Sequence, residues 1–291
     1  MSSTFRVATV FAAAILGSLA STATFAAPVE HSLTTAGTAT TINSGVFSQG
    51  SVQPTGTGMI DSFVRVQNSP QEQGYNTTVN NVWDNDNADV YNHEITVGQI
   101  GFINVGGTQV MRFLLDINEG GSNAGQLLNL DDIQLFVSTT PNQSTTTMTG
   151  GVLSFANAAM VYRMDTASID NRITLDYGLA SGSGQSDMTL DISQSFFDVA
   201  LASLGLTTAA QKNGAYIYLY SSFGSDPNNS DGGFEEWAKQ GTGSVYVDCN
   251  GPNCVNDVDD PGNTVPEPAT LGLVSLALIG LGLARRARKL R

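Results

Sequence analysis

Short stretches of alternating apolar and polar residues recur through the middle of the chain. Candidate strands are Asp61–Gln67, Val90–Val97, Val110–Ile117, Ile133–Ser138, Met160–Met164, Arg172–Tyr177, Met188–Ile192 and Ala215–Ser222. In the MTLDI segment, Met188, Leu190 and Ile192 share one face, and Thr189 and Asp191 share the other. In AYIYLYSS, Tyr216, Tyr218 and Tyr220 face one way while Ile217 and Leu219 face the other. A period of two with β-branched and aromatic residues predicts half-buried antiparallel strands. Turn clusters such as SGSGQSD and NEGGSNAGQ separate them.

Eight or so such strands predict an all-β fold with one or two short helices, an antiparallel β-sandwich of jelly-roll type. One helix is expected over Gln194–Leu204, capped by Ser193, with Phe196, Phe197, Val199, Ala200 and Leu204 on its apolar face. A second is expected over Phe234–Lys239, where it would cover the tyrosine stripe.

The two ends have a different texture. The first 26 residues combine Arg6, an apolar run from Val7 to Ala20 and the small-residue site Thr24-Phe25-Ala26. That order predicts a secretory signal peptide cut by signal peptidase after Ala26 or Ala27. The last residues place Val265-Pro266-Glu267-Pro268 before an uncharged block, Ala269 to Ala284, and then Arg285, Arg286, Arg288, Lys289 and Arg291. As a helix the apolar block would reach roughly 24 Å, short of a roughly 30 Å hydrocarbon core, so insertion calls for snorkelling or bilayer thinning. The arginines would act as a cytoplasmic stop, and the prolines would leave an extended, accessible backbone at the membrane surface. Between the ends we expect a Thr/Ser/Gly-rich segment over 27–58, either an extended arm or a first ragged strand. The β-sandwich follows over 59–248, then an acidic linker over 249–264 and the tail over 265–291.

This tail resembles the PEP-CTERM sorting signal: a Pro-Glu-Pro motif, a short transmembrane block and an Arg-rich end. The resemblance implies processing near Pro266, Glu267 and Pro268 by an exosortase, a membrane cysteine protease of Gram-negative bacteria. It also implies transient residence in the inner membrane, a secreted or cell-surface destination, and an association with exopolysaccharide and biofilm. The blocks LLNLDDIQLFVS and AYIYLYSSFGSDPNNSDGGFEEWAK resemble a domain that recurs in exosortase-dependent surface proteins, one that brings no activity with it.

Charge narrows the partners. The chain carries 12 Lys+Arg against 26 Asp+Glu. Six of the bases and one acid lie in the end segments, which leaves the middle with 6 bases, 25 acids and a net charge of −19. Such a domain repels nucleic acid and anionic lipid. It would attract cations or keep an exported protein soluble. The two cysteines, Cys249 and Cys254 in CNGPNC, have the spacing of a small disulfide loop, with free thiols as the alternative.

Candidate chemistry is sparse. Of the two histidines, His31 follows the predicted cleavage site. His93-Glu94 begins a zincin-like pattern, but Val97 stands where its second histidine would be; a solvent-facing strand histidine is the plainer reading. Oxygen-rich turns supply candidate Ca²⁺ ligands: Asp84, Asp86 and Asp89 in one, Asp226, Asn228 and Asp231 in another, against solvated Asx turns as the alternative. Trp83 and Trp237 are candidate sugar contacts. The expectation is a non-enzymatic surface or matrix protein with a structural or adhesive role. The alternatives are a carbohydrate-binding module and a secreted hydrolase that would use paired carboxylates.

Overall fold

The computed structural model describes residues 27–50, 61–85, 91–120, 126–180, 186–240 and 243–247. The signal peptide, Asp86, Asp89, both cysteines, the linker after 247 and the sorting tail lie outside the described residues.

In chain order the first strands are β1 (Val29–Leu33), β2 (Ala39–Ile42), β3 (Gly45–Gln49), β4 (Asp61–Val66), β5 (Glu72–Tyr75) and β6 (Ile95–Thr96). After a helical turn, α1 (Val97–Ile100), come β7 (Ile103–Val105), β8 (Thr108–Asp116) and β9 (Leu127–Ser138). A small hairpin, β10 (Met148–Thr149) and β11 (Val152–Leu153), precedes β12 (Ala158–Arg163), β13 (Asn171–Asp176) and β14 (Met188–Ser193). The helices α2 (Gln194–Ser203) and α3 (Ala209–Gly214) lead to β15 (Tyr216–Phe223) and β16 (Glu235–Lys239).

Two seven-stranded sheets result. The first runs β1-β13-β9-β15-β5, with β12 beside β9 and β6 beside β15; the second runs β2-β3-β14-β8-β16-β4, with β7 beside β8. Pairing is antiparallel except for the parallel pair β1–β13. The all-β sandwich expected from the alternation is therefore present. The N-terminal stretch is no free arm, because residues 29–49 supply an edge strand to the first sheet and a hairpin to the second.

The core lies between the sheets. Phe47, Phe63, Phe113, Leu115, Met188, Leu190 and Trp237 come from the second sheet, and Leu130, Ile133, Leu135, Ile173, Ile217 and Leu219 from the first. The helix α2 closes one end, burying Phe197, Ala200 and Leu201, with the Ser193 hydroxyl accepting from the Ser195 N–H as its cap. Val199, placed on the apolar face from the sequence, is 73% exposed; Leu201 takes the inward place.

The central strand β9 departs from strict alternation. Leu128 and Leu130 point into the core, and so do Ile133, Leu135 and Val137, three residues further on instead of two. A register shift opposite Ser222/Phe223 skips Asp131. This bulge sets Asp131 and Asp132 consecutively off the core face, as an extra residue in one strand does.

Three segments differ from the sequence reading. The segment expected as a helix over Phe234–Lys239 holds strand β16 (Glu235–Lys239): Glu235 and Trp237 both point inward, at 0% exposure. Among the described residues of the expected strand Val90–Val97, only Ile95–Thr96 is strand. The tyrosine stripe on β15 does not pack on a Phe234–Lys239 helix. Tyr218 and Tyr220 form a second apolar cluster with Tyr75, Val82, Phe136 and Leu153, covered by Trp83 and Phe155.

Several asparagines stand in for missing strand partners. Between the short pairings of β15 with β6 and with β5, the Asn76 side chain donates Nδ2 to Ile217 O at 2.7 Å and accepts from Leu219 N at 2.7 Å. Asn92 does the same for both backbone groups of Arg65, and Asn85 for those of Tyr75. Removing a buried partner leaves each backbone group at a cost of about 1–3 kcal/mol. Asn76→Ala should therefore lose about 2 kcal/mol or more in urea unfolding, and Asn76→Asp more still, since it keeps the acceptor, loses the donor to Ile217 and buries a charge.

Candidate functional site

Two polar features stand out on this frame. The first is an open cleft of about 300 Å³ on the outer side of the first sheet, where β5, β15, β9 and β13 meet. Gln71, Gln73, Asp131, Asp170, Arg172, Tyr220, Ser222 and Ser225 line it, together with an edge of Glu72. The bulge in β9 aims Asp131 here. Its carboxylate accepts from the backbone N–H of Ser225 at 2.9 Å and from the Ser225 hydroxyl. Arg172 reaches Asp131 at 3.4 Å, Glu30 at 3.1 Å and the carbonyl of Asp226 at 3.0 Å. Tyr220 donates its hydroxyl to Gln73 at 2.9 Å. Its ring packs against half-buried Trp83, the centroids 5.4 Å apart.

Burial raises the Asp131 carboxyl above its ordinary range, and lifts that of Asp132 to about 6 despite the hydrogen bond from Gln134. The lining is thus amide, hydroxyl, carboxyl and guanidinium beside two aromatic rings, the kind of mixed surface that orients a small polar ligand.

The second feature lies between the sheets at the end of the sandwich built by residues 67–72, 117–120 and 225–235. Glu72 comes inward from β5 of the first sheet and Glu235 inward from β16 of the second, and their carboxyls interact with each other. Asn68 N donates to Glu72 Oε2 at 2.9 Å, and Asn118 N lies 3.4 Å from Glu235 Oε1. Glu119 lies beside them, accepting from Asp231 N at 3.0 Å. These three glutamates are 0–5% exposed. Glu72 Oε1, Glu119 Oε1 and Glu235 Oε2 meet no hydrogen-bond donor. Desolvation pushes all three carboxyls upward, Glu119 to about 8; neighbouring carboxylates add to the rise. A further buried acid, Asp187, accepts from Ile117 N at 2.9 Å and is likewise raised to about 8 by desolvation.

The residues singled out from the sequence are scattered over these features. Asp84 spends both carboxylate oxygens on Asn68 Nδ2 and Gln73 N, at 2.7 and 2.9 Å. Asn228 bonds Asn129, and Asp226 offers its carbonyl to Arg172. Of the described candidates, Asp231 joins the carboxyl cluster through its N–H on Glu119, and the Asp84 charge acts on Glu72 from beside it. Trp83 borders the cleft through Tyr220. Trp237 sits fully inside the core with its indole N–H donated to the Ser221 hydroxyl at 3.0 Å, so it presents no face to a sugar. His31 contacts Thr40 and Asn171; His93 is half-buried, its ring turned to the carbonyl of Glu94 and its N–H donated to Phe63 O. Glu72 and Glu119 had no mark in the sequence, and Glu235 stood only as an acid close behind the Asp226–Asp231 turn, because single carboxylates far apart along the chain carry no local pattern.

Among known proteins, residues 264–289 match the family described as the PEP-CTERM protein-sorting motif. The match covers the tail and marks the chain as an exosortase-targeted bacterial protein exported to the cell surface or beyond. No curated protein and no solved structure matches the chain.

The buried acids fix how stability depends on pH. Their carboxyls stand above the ordinary values of 4.5 for glutamate and 3.8 for aspartate in the folded state, at about 8 for Glu119 and Asp187. Between those limits the folded state binds more protons than the unfolded one, so stability falls as pH rises. In a chelator, the urea midpoint should be higher at pH 5 than at pH 8, by an amount worth several kcal/mol at about 1.4 kcal/mol per pKa unit. Glu119→Gln and Asp187→Asn should each flatten the profile. A midpoint that rises from pH 5 to pH 8 would contradict this account.

Proposed function

We propose that this chain is a non-enzymatic structural or adhesive protein of the extracellular matrix of a Gram-negative bacterium, and that it touches extracellular polysaccharide through the outer cleft. Signal peptidase removes the leader. The tail dwells briefly in the inner membrane, and an exosortase cuts near Pro266, Glu267 and Pro268. Arg285, Arg286 and Arg288 hold the tail on the cytoplasmic side until then.

The observation that carries the adhesive part is the lining of the cleft. Gln71, Gln73, Asp131, Asp170, Arg172 and Ser222 offer donors and acceptors in both directions, as sugar hydroxyls require. Tyr220, backed by Trp83, supplies an apolar surface beside them. The balance of acids over the single arginine favours a neutral or cationic glycan over a uronic one. A non-enzymatic role is supported by the histidines, whose ring nitrogens contact neighbouring oxygens away from the cleft.

Exposed Gln71 and Asp170 can be changed without disturbing the core. The double variant Gln71→Ala/Asp170→Ala should keep its melting temperature and bind the host's exopolysaccharide at least about tenfold more weakly in affinity electrophoresis. The wild type should leave the polymer's reducing-end count unchanged. Equal retention of variant and wild type would remove the cleft from the reading; new reducing ends would turn it towards a hydrolase.

A further inference from the structure

We propose that the carboxyl cluster between the sheets, centred on Glu72 and Glu235, binds a hard divalent cation of the Ca²⁺ type. This site lies inward of the outer cleft, which Glu72 also borders, and draws on none of the turn residues Asp84, Asp226 and Asn228 as ligands.

The argument starts from unmet chemistry. Glu72 Oε1, Glu235 Oε2 and Glu119 Oε1 are buried oxygens that no N–H or O–H of the protein reaches. Glu235 is 0% exposed and Glu72 is 2% exposed, and the two carboxyls face each other across the sheets. An ionised carboxylate offers acceptors only, so two of them in contact repel unless something positive lies between.

No basic side chain among the described residues supplies such a charge. Each of the six basic side chains of the central domain is committed elsewhere. Arg65 pairs with Glu236 and sits between the rings of Tyr91 and Phe234. Arg112 forms a two-pronged pair with Asp191, both contacts 2.6 Å. Arg172 holds Glu30 and Asp131, Lys212 holds Asp198 and Lys239 holds Asp61. Arg163 lies among Asp132 and Asp165. The neutralising charge must come from solvent, as protons or as a metal ion.

The donor set selects the ion. Every atom offered is oxygen, which suits Ca²⁺ or Mg²⁺ and not the thiolate- or imidazole-seeking metals. Main chain crowds the same place. A Cβ on Gly233 would collide with the carbonyl of Asn118, and one on Gly120 with the Asp231 carboxylate. The glycines therefore let the Asn118 carbonyl and the Asp231 carboxylate lie against residues 233 and 120, in the segments that carry Glu235 and Glu119. No three His, Cys, Asp or Glu side chains among the described residues already form a finished metal cage. The site is accordingly a two-carboxylate clamp, with its remaining ligands drawn from carbonyls, water and a modest turn of Glu119.

The test compares the exported protein in 2 mM CaCl₂ and in EDTA. At pH 8 the wild type should melt about 5–10 °C higher in Ca²⁺, and the gain should shrink at pH 5, where protons occupy the cluster. Glu235→Gln, which removes one charge and gives Glu72 an amide donor, should lose the gain and melt in EDTA no lower than the wild type. Asp226→Asn should keep the gain. Equilibrium dialysis of the wild type with ⁴⁵Ca at pH 8 covers the case in which Glu235→Gln fails to fold, and at least one ion per chain is expected. A wild type with the same melting temperature in both buffers, a Ca²⁺ gain that survives in folded Glu235→Gln, or no retained ⁴⁵Ca overturns the proposal.

Discussion

The long strand β9 must serve two sheet faces that want opposite things, and the single extra residue at Asp131 lets it do so. On the core side it contributes Leu128 and Leu130 beside β13, and then Ile133, Leu135 and Val137 beside β12 and β15. With strict alternation one of those two groups would point to solvent. The bulge keeps both groups inward and turns two adjacent carboxylates outward. Everything on the outer face of the first sheet follows from that step. Asp131 is placed to receive Ser225 and Arg172, which fastens the 224–231 segment over the sheet and forms one wall of the cleft. Beyond it, Phe136 joins the tyrosines of β15 in the second apolar cluster. The polar half and the aromatic half of one face are thus divided by a backbone irregularity, and not by a change of strand.

The distribution of charge has the same economy. With six bases in the central domain, each is paired or set among acids, mostly at strand positions where the register brings opposite charges together, as with Arg112 directly across from Asp191. Exposed acids need no partner, since water solvates them and the surface excess favours solubility. The interior acids are another matter. Glu72, Glu119, Asp187 and Glu235 occupy inward or closed positions where an isoleucine or a glutamine would cost less. Their oxygens are partly satisfied by backbone N–H groups from Asn68, Asp231, Ile117 and Asn118. They are groups whose protonation makes the stability of that end of the sandwich depend on pH.

How much of this was legible in the sequence depends on how local each signal was. Met188–Ser193, Tyr216–Phe223 and Asn171–Asp176 alternate without a break, and their strands were readable nearly to the residue. Phe234–Lys239 was not. With Phe234, Trp237 and Ala238 at helical spacing it fits a 3.6 period as well as a 2.0 period. Pairing on both sides, with β4 and β8, decides for the strand. That choice carried the site with it. Read as a helix, Trp237 falls on the apolar face with Phe234 and Ala238, and Glu235 falls on another face as a solvated acid. Read as a strand, Glu235 and Trp237 share a face, and a buried tryptophan implies a buried glutamate. The turns misled for a related reason. The oxygen-rich turn at Asp84 resembles a cation loop, yet Asp84 spends its carboxylate on Asn68 and Gln73, and the neighbouring Asn85 faces the backbone of Tyr75 and completes a strand edge. Only the three-dimensional neighbour tells an amide that caps a strand from one that greets an ion.

The tail and the interior acids also bear on each other. An exported chain leaves a compartment poor in free Ca²⁺ for one where extracellular modules bind the ion with dissociation constants of about 10⁻⁴–10⁻³ M. A domain whose two sheets meet through Glu72 and Glu235 carries mutual repulsion there until a proton or cation arrives. With a cation in the clamp, closure of that end becomes coupled to arrival outside the membrane, because anything that binds only the folded state stabilises it by mass action. Export would then deliver a sandwich that is loosest where it is made and tightest where it meets the cation. The 67–72 and 225–235 segments that hold the clamp also flank the outer cleft through Gln71, Glu72 and Ser225. Loosening or tightening the clamp would therefore act on the wall of that cleft.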